Sequence, residues 1–144
     1  MAPNVEITHV QEFSASHRLH NTSLSDEENR RIFGVCNNLH GHGHNYEVAV
    51  SVRGEVPPDT GMVMDLNILA RIVREHLVDQ VDHRHLNHDV PFFEGIIPTA
   101  ENIAIVFWRR IEALVNEYPG CRLSKIQVRE SRANSAEYRG EATP

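Results

Sequence analysis

His40, His42 and His44 alternate along residues 36–48 (CNNLHGHGHNYEV), beginning four residues after one of the chain's two cysteines, Cys36. Alternate residues of a strand share a face, with Cα atoms about 6.6 to 7 Å apart, so an H-x-H pair brings two imidazoles onto one ion. Neutral imidazole is a good zinc ligand, and three protein ligands leave a fourth position open, the arrangement of catalytic sites. An open zinc acts as a Lewis acid on a bound oxygen. His17 ends the run VEITHVQEFSASH. If its strand pairs antiparallel with the one that begins near His42, the end of the first lies beside the start of the second. His17, His42 and His44 then meet at one end of a sheet and are the candidate ligands. His40 has the same parity but stands at the loop margin, where strand geometry gives way.

Cys36 precedes this pair among polar neighbours, Asn37 and Asn38. A nearby cation favours the thiolate, so Cys36 reads either as a base or nucleophile beside the ion or as a small hydrophobe. Cys121, after the turn-like YPG, reads as the small hydrophobe. A third histidine group lies in DHRHLNHD, where His83, His85 and His88 follow a helix. It has two readings: a second metal site, or an acid-base unit in which Asp82 fixes the tautomer of His83. Glu130 shares the parity of Ile126 and Val128 and so faces the apolar side at a strand end. A carboxylate there needs a partner, an arginine or a ligand with several N–H donors.

These residues need elements to position them. Residues 5–17 place Ile7, Phe13, Ala15 and His17 on one parity, and residues 44–53 place Tyr46, Val48, Val50 and Val52 on another, so both read as half-buried strands. The 24 residues between His17 and His42 are long for a hairpin connection, and such loops tend to be functional. Within them SDEENRRIFG predicts a short helix, with Ser25 and Glu28 as capping box and Gly34 as stop. A second helix is predicted over 66–81 with Asp65 as N-cap, and a third from Thr99 that buries Ile103, Phe107, Ile111, Leu114 and Val115. LSKIQVRE and a shorter strand at 136–139 close the chain. The order predicts one α+β domain over 1–144, a four-stranded antiparallel sheet with the 66–81 helix and the helix from Thr99 on one face.

Composition narrows the function. With 40% hydrophobic and 24% charged residues, 144 residues suffice for one domain with a sizeable core. The net charge of -6 argues against nucleic acid or an anionic membrane as partner, since both select basic surfaces. No apolar run reaches the roughly 18 residues of a membrane span, and the start MAPNVEITHVQEF lacks a signal-peptide pattern. Two cysteines make no disulfide framework, and the expected compartment is the cytoplasm.

Taken in order, FSASHRL (13–19), LSDEEN (24–29), FGVCNN (33–38), GHGHNY (41–46), TGMVMDL (60–66), VDHRHL (81–86), TAEN (99–102), and VRES followed by YRG (128–140) resemble the 6-pyruvoyl-tetrahydropterin synthase family over nearly the whole chain. The resemblance implies the tunnelling fold (T-fold), in which three subunits join their sheets into a β-barrel and two trimers stack into a homohexamer. It implies Zn2+ on His17, His42 and His44, catalysis by Cys36, Asp82 and His83, and pterin binding by Glu130, Glu101 and Thr99. The implied reaction takes a small-molecule pterin triphosphate, 7,8-dihydroneopterin triphosphate, to 6-pyruvoyl-tetrahydropterin with loss of triphosphate. His40 stands where animal members have a non-ligand, and Ala100 replaces a threonine found in them. The related 6-carboxytetrahydropterin synthases usually carry their cysteine two residues closer to the first liganding histidine of the pair. Here Cys36 and His42 are six residues apart, the pyruvoyl-type spacing. A pair made of His40 and His42 fits the carboxy type, and the distance from His44 to Thr60 and Gly61 favours the first register. A zinc- or pterin-binding module without turnover is the third reading.

Overall fold

The computed structural model describes residues 2–141. Two long strands set the architecture: β1 (Asn4–His17) and β2 (His42–Glu55) pair antiparallel from Asn4 opposite Glu55 to His17 opposite His42. Their inward parity, with Phe13, Ala15 and His17 on β1 and Tyr46, Val48, Val50 and Val52 on β2, is buried. Continuous register over this length follows from the side-chain period of two, because a one-residue slip would turn every apolar residue of β1 to the wrong face.

The 18–41 connection folds on itself. α1 (Asp26–Phe33) starts where the Ser25 hydroxyl accepts the Glu28 backbone N–H at 3.1 Å and stops at Gly34, whose φ of 56° suits glycine. Asn29 is fully buried, and its side chain bonds the backbone of Asn21, Leu24 and Ser25. The sequence pattern did not single it out. A 3-10 turn, Gly34–Asn37, then carries Cys36 back toward the end of β1.

α2 (Leu66–Val73) is capped by the Asp65 carboxylate, which accepts the Asn67 N–H at 2.8 Å. It continues through a π turn, Arg74–Val78, and a last α turn, Asp79–Val81, so its extent matches the predicted 66–81. After β3 (Arg84–His85) and the single turn α3 (Leu86–Asp89), Thr99 caps α4 (Ala100–Asn116) by accepting the Asn102 N–H at 3.2 Å. Leu69, Val73 and Leu77 from one helix and Ile103, Phe107 and Ile111 from the other pack in one core with the inward face of the sheet. Among the described residues no helix is long and apolar enough to cross a membrane.

The sheet corrects the prediction of four antiparallel strands. It has five, in the order β3-β1-β2-β4-β5, with β4 (Arg122–Arg129) and β5 (Ser135–Tyr138) antiparallel as expected and β3 parallel to β1. Two residues carry no readable alternation, so β3 is invisible in the sequence. It forms because His83, at φ 61°, turns the chain after α2 and its N–H reaches Ser14 O at 2.6 Å. A bulge also interrupts β4. Ser51 pairs with Lys125 but Val52 with Leu123, so Ser124 is the extra residue and Leu123 is buried alongside Ile126 and Val128 despite opposite parity.

Candidate active site

The triad forms where β1 ends and β2 begins. His17 and His42 are opposed in register, with Nε2 atoms 3.2 Å apart, and His44 lies two residues along the same face. One ligating atom from each of the three residues can be chosen so that all lie within 4.8 Å of one another. Gly41 makes the approach possible: at φ 74°, any Cβ there would stand 2.6 Å from His17 O and 2.9 Å from His85 Nε2. His40 lies outside the strand in the preceding turn and outside the group.

His17 is held from behind. Its Nδ1 lies 2.7 Å from Pro98 O, which can only accept, so Nδ1 carries the proton and Nε2 presents its lone pair. The Tyr46 hydroxyl sits 3.2 Å from the same Nδ1, and the Tyr46 ring stacks on Phe13 at 4.9 Å. Burial lowers the pKa of His17 against the opposing pull of the Pro98 bond, and burial likewise lowers that of His44 against the charge of Glu130. Two neutral imidazoles result. The buried His42 Nδ1 and His44 Nε2 have no hydrogen-bond partner among the described residues. Facing imidazole nitrogens, two of them buried without a hydrogen-bond partner, are a donor set that a divalent cation such as zinc would satisfy. Tyr46 and Pro98 were not singled out in the sequence, because a carbonyl from a distant loop leaves no local signal.

Glu130 closes one side of the triad, with Oε1 3.5 Å from His44 Nε2. It follows β4, and its N–H bonds Asn134 O in the turn to β5. Cys36 is half-buried and tied to the end of β1, its carbonyl accepting the Leu19 N–H at 2.9 Å. Beside it Asn37 is buried, and its Nδ2 lies 2.8 Å from both Leu19 O and His20 Nδ1. Burial, ahead of the charge of Glu130, raises the pKa of the Tyr46 phenol. Cys121 is buried in the core, where its thiol donates to Val63 O at 3.0 Å and burial raises its pKa. This is the setting of a small hydrophobe, as the sequence predicts for Cys121.

Asp82 and His83 form a dyad on the edge of the sheet. Asp82 Oδ1 accepts the Ser14 N–H at 2.8 Å and Oδ2 lies 2.9 Å from His83 Nδ1. The Ser14 N–H, ahead of the His83 contact, holds the carboxyl below the usual carboxylate range. The His83 side chain is 82% exposed, and among the described residues no hydrogen bond or ion pair joins the dyad to the triad. Thr99, one residue beyond Pro98, spends its hydroxyl on the α4 cap, and Glu101 is exposed in the first turn of that helix. The His85 and His88 rings lie 4.4 Å apart and tilted by 33°, but with His83 they do not form a ligating group, which corrects the second-metal reading.

Fold and site together define an α+β domain with a three-histidine group suited to a metal ion. A sequence model of the family "6-pyruvoyl tetrahydropterin synthase" matches residues 6–141. A 6-pyruvoyl tetrahydrobiopterin synthase of Homo sapiens is 46% identical over 129 residues, covering 90% of this chain and 87% of the relative. That of Poecilia reticulata is 45% identical over 135 residues, covering 94% and 90%. The structure of Caenorhabditis elegans 6-pyruvoyl tetrahydropterin synthase superposes with a TM-score of 0.91 at 42% identity, over 97% of this chain and 98% of that one. The chain belongs to the 6-pyruvoyl tetrahydropterin synthase family and is an enzyme of that family.

Proposed function

We propose that the protein converts 7,8-dihydroneopterin triphosphate to 6-pyruvoyl-tetrahydropterin with elimination of triphosphate, using zinc held by His17, His42 and His44. The observation that carries this reading is the convergence of the three imidazoles with Glu130 and the Cys36 segment at one end of the β1–β2 pair. Bound there by His17, His42 and His44, zinc would supply Lewis-acid polarisation of the substrate's side-chain hydroxyl oxygens and so make the neighbouring C–H more acidic. The chain's own residues do the rest. Cys36 takes and returns the proton at the activated carbon, and Asp82 orients His83 as a second proton carrier. Glu130 accepts the N–H donors of the amino-pyrimidine edge in a two-point, charge-assisted contact. Thr99 and Glu101 border the ring pocket. No external electron carrier is needed, because the side chain of the substrate is oxidised as its ring is reduced.

The assembly we propose is a trimer whose sheets join at their edges, two trimers stacking into a hexamer. Edge pairing would satisfy the open backbone groups of β3 and β5. It would also carry the exposed Asp82–His83 dyad to a neighbour's triad, which supports its separation from the triad within one chain.

Product analysis tests the reaction. With substrate and zinc the protein should release triphosphate and give a tetrahydropterin that keeps its three-carbon side chain. Acetaldehyde formed in proportion to substrate consumed would assign the carboxy-type reaction, and binding without turnover would make the protein a pterin-binding module.

A further inference from the structure

The turn that carries Cys36 has little apolar hold on the rest of the molecule. From Gly34 to His40 the one buried residue is Asn37, at 5% exposure, whereas Val35 and Leu39 leave 89% and 66% of their surfaces in solvent. A segment with so few buried apolar contacts depends on its polar contacts for position. Outside their own turn, the hydrogen bonds of Cys36 and Asn37 among the described residues all end on Arg18, Leu19 and His20, the residues that follow His17 out of β1. The backbone gives two of them: Leu19 N–H donates to Cys36 O and Arg18 Nε donates to Asn37 O, each at 2.9 Å.

The Asn37 side chain gives the other two. Its Nδ2 stands 2.8 Å from Leu19 O and 2.8 Å from His20 Nδ1. A carbonyl can only accept, so the atom facing Leu19 is the amide nitrogen, and its second N–H is donated to an unprotonated His20 Nδ1. One buried amide therefore spends both donors on consecutive residues. The receiving segment is itself fixed. From α3 the Asn87 side chain accepts the Arg18 N–H and donates to Arg18 O, each at 2.8 Å, and Asn29 holds Asn21 in the same two-way manner at 2.8 and 2.9 Å. Without the Asn37 amide, Leu19 O and His20 Nδ1 would lose their donor, and the Cys36 turn would hang on the bonds to its carbonyl groups alone.

We propose that Asn37 is a positioning residue for the reaction: its carboxamide clips the Cys36 turn to the segment that follows His17 and so fixes the thiol relative to the histidine triad. The proposal rests on the reading of Cys36 as proton carrier. Asn37 acts through Cys36 and not on the substrate. Its leverage is geometric, because a displacement of about 1 Å at a reacting group costs about 10²-fold in rate.

Two measurements on the full chain test it. Cys36 is half-buried and Cys121 lies in the core, so alkylation by iodoacetamide reads Cys36 first and Cys121 only when the fold opens. Asn37→Ala should be alkylated at Cys36 about fivefold faster than wild type while Cys121 stays protected. In kinetics, Asn37→Ala should lower kcat by roughly 10- to 100-fold with KM and zinc content within about twofold. In a Cys36→Ala background the same substitution should cost less than about twofold, since a residue that acts through the thiol then has nothing to position. His20→Ala, which removes one of the two acceptors, should lower kcat about threefold with the same pattern and serves if Asn37→Ala does not fold. An unchanged alkylation rate, alkylation of Cys121 alongside Cys36, or a full additional loss of kcat in the Cys36→Ala background would overturn the positioning role. Faster alkylation of Cys36 with kcat intact in both Asn37→Ala and Cys36→Ala would keep the clip and remove Cys36 from the reaction instead.

Discussion

The histidine triad and the Asp82–His83 dyad are built to opposite standards. The triad lies at the paired ends of the two longest strands, with His17 1% exposed and its tautomer set by Pro98. The dyad lies on a two-residue edge strand, with His83 82% exposed and its backbone in the left-handed region at φ 61°. Strain at a non-glycine residue persists only where its surroundings hold it, and here the bonds between Ser14 and both dyad residues do so. The difference teaches that one chain brings the three histidines together by itself, whereas the Asp82–His83 pair is held in place but turned outward.

The sharpest break of this comparison is at the triad. His17→Ala, His42→Ala or His44→Ala should each remove the metal and reduce turnover to background, because two imidazoles make a poor zinc site, and His40→Ala should keep the metal. Metal analysis showing the reverse for His40 and His44 would move the ligand register by two residues. Next in size, Cys36→Ala should retain metal and fold while kcat falls by roughly 10² to 10⁴, the contribution of a positioned acid or base. Cys121→Ala should remain near normal in kcat, and equal losses in the two variants would make Cys36 a structural residue.

The dyad gives the most direct test of shared sites. His83→Ala should lower kcat by roughly 10²-fold with metal retained. If each site takes Cys36 from one chain and His83 from its neighbour, co-refolding equal amounts of Cys36→Ala and His83→Ala subunits should restore about a quarter of wild-type activity by random assembly. Activity that stays at background would return the dyad to its own subunit. The smallest effect is expected at Glu130→Gln, which should weaken pterin binding about tenfold while leaving the metal in place, since a charge-assisted contact becomes a mismatched amide. Unchanged pterin affinity would leave Glu130 as a neighbour of His44 alone.

Much of the positioning machinery was legible in the sequence because it is local. The capping residues Ser25 and Asp65 each accept the N–H expected of them, and the alternation in β1 and β2 fixes which residues share a face with His17. Glu130 is legible by parity alone, as a carboxylate turned toward the apolar side, and its Oε1 stands 3.5 Å from His44 Nε2.

The sequence by itself determined that His17, His42 and His44 meet, because antiparallel pairing and a period of two leave one way to bury Phe13 with Tyr46 and Val48. Only the tertiary structure decided what surrounds them. The carbonyl of Pro98 reaches His17 from 81 residues away, the parallel strand β3 is too short to have a pattern, and the bulge at Ser124 shifts parity within a strand. Each is a long-range or single-residue event. Such contacts depend on where loops and edges come to rest after the core has packed, and no local propensity encodes that.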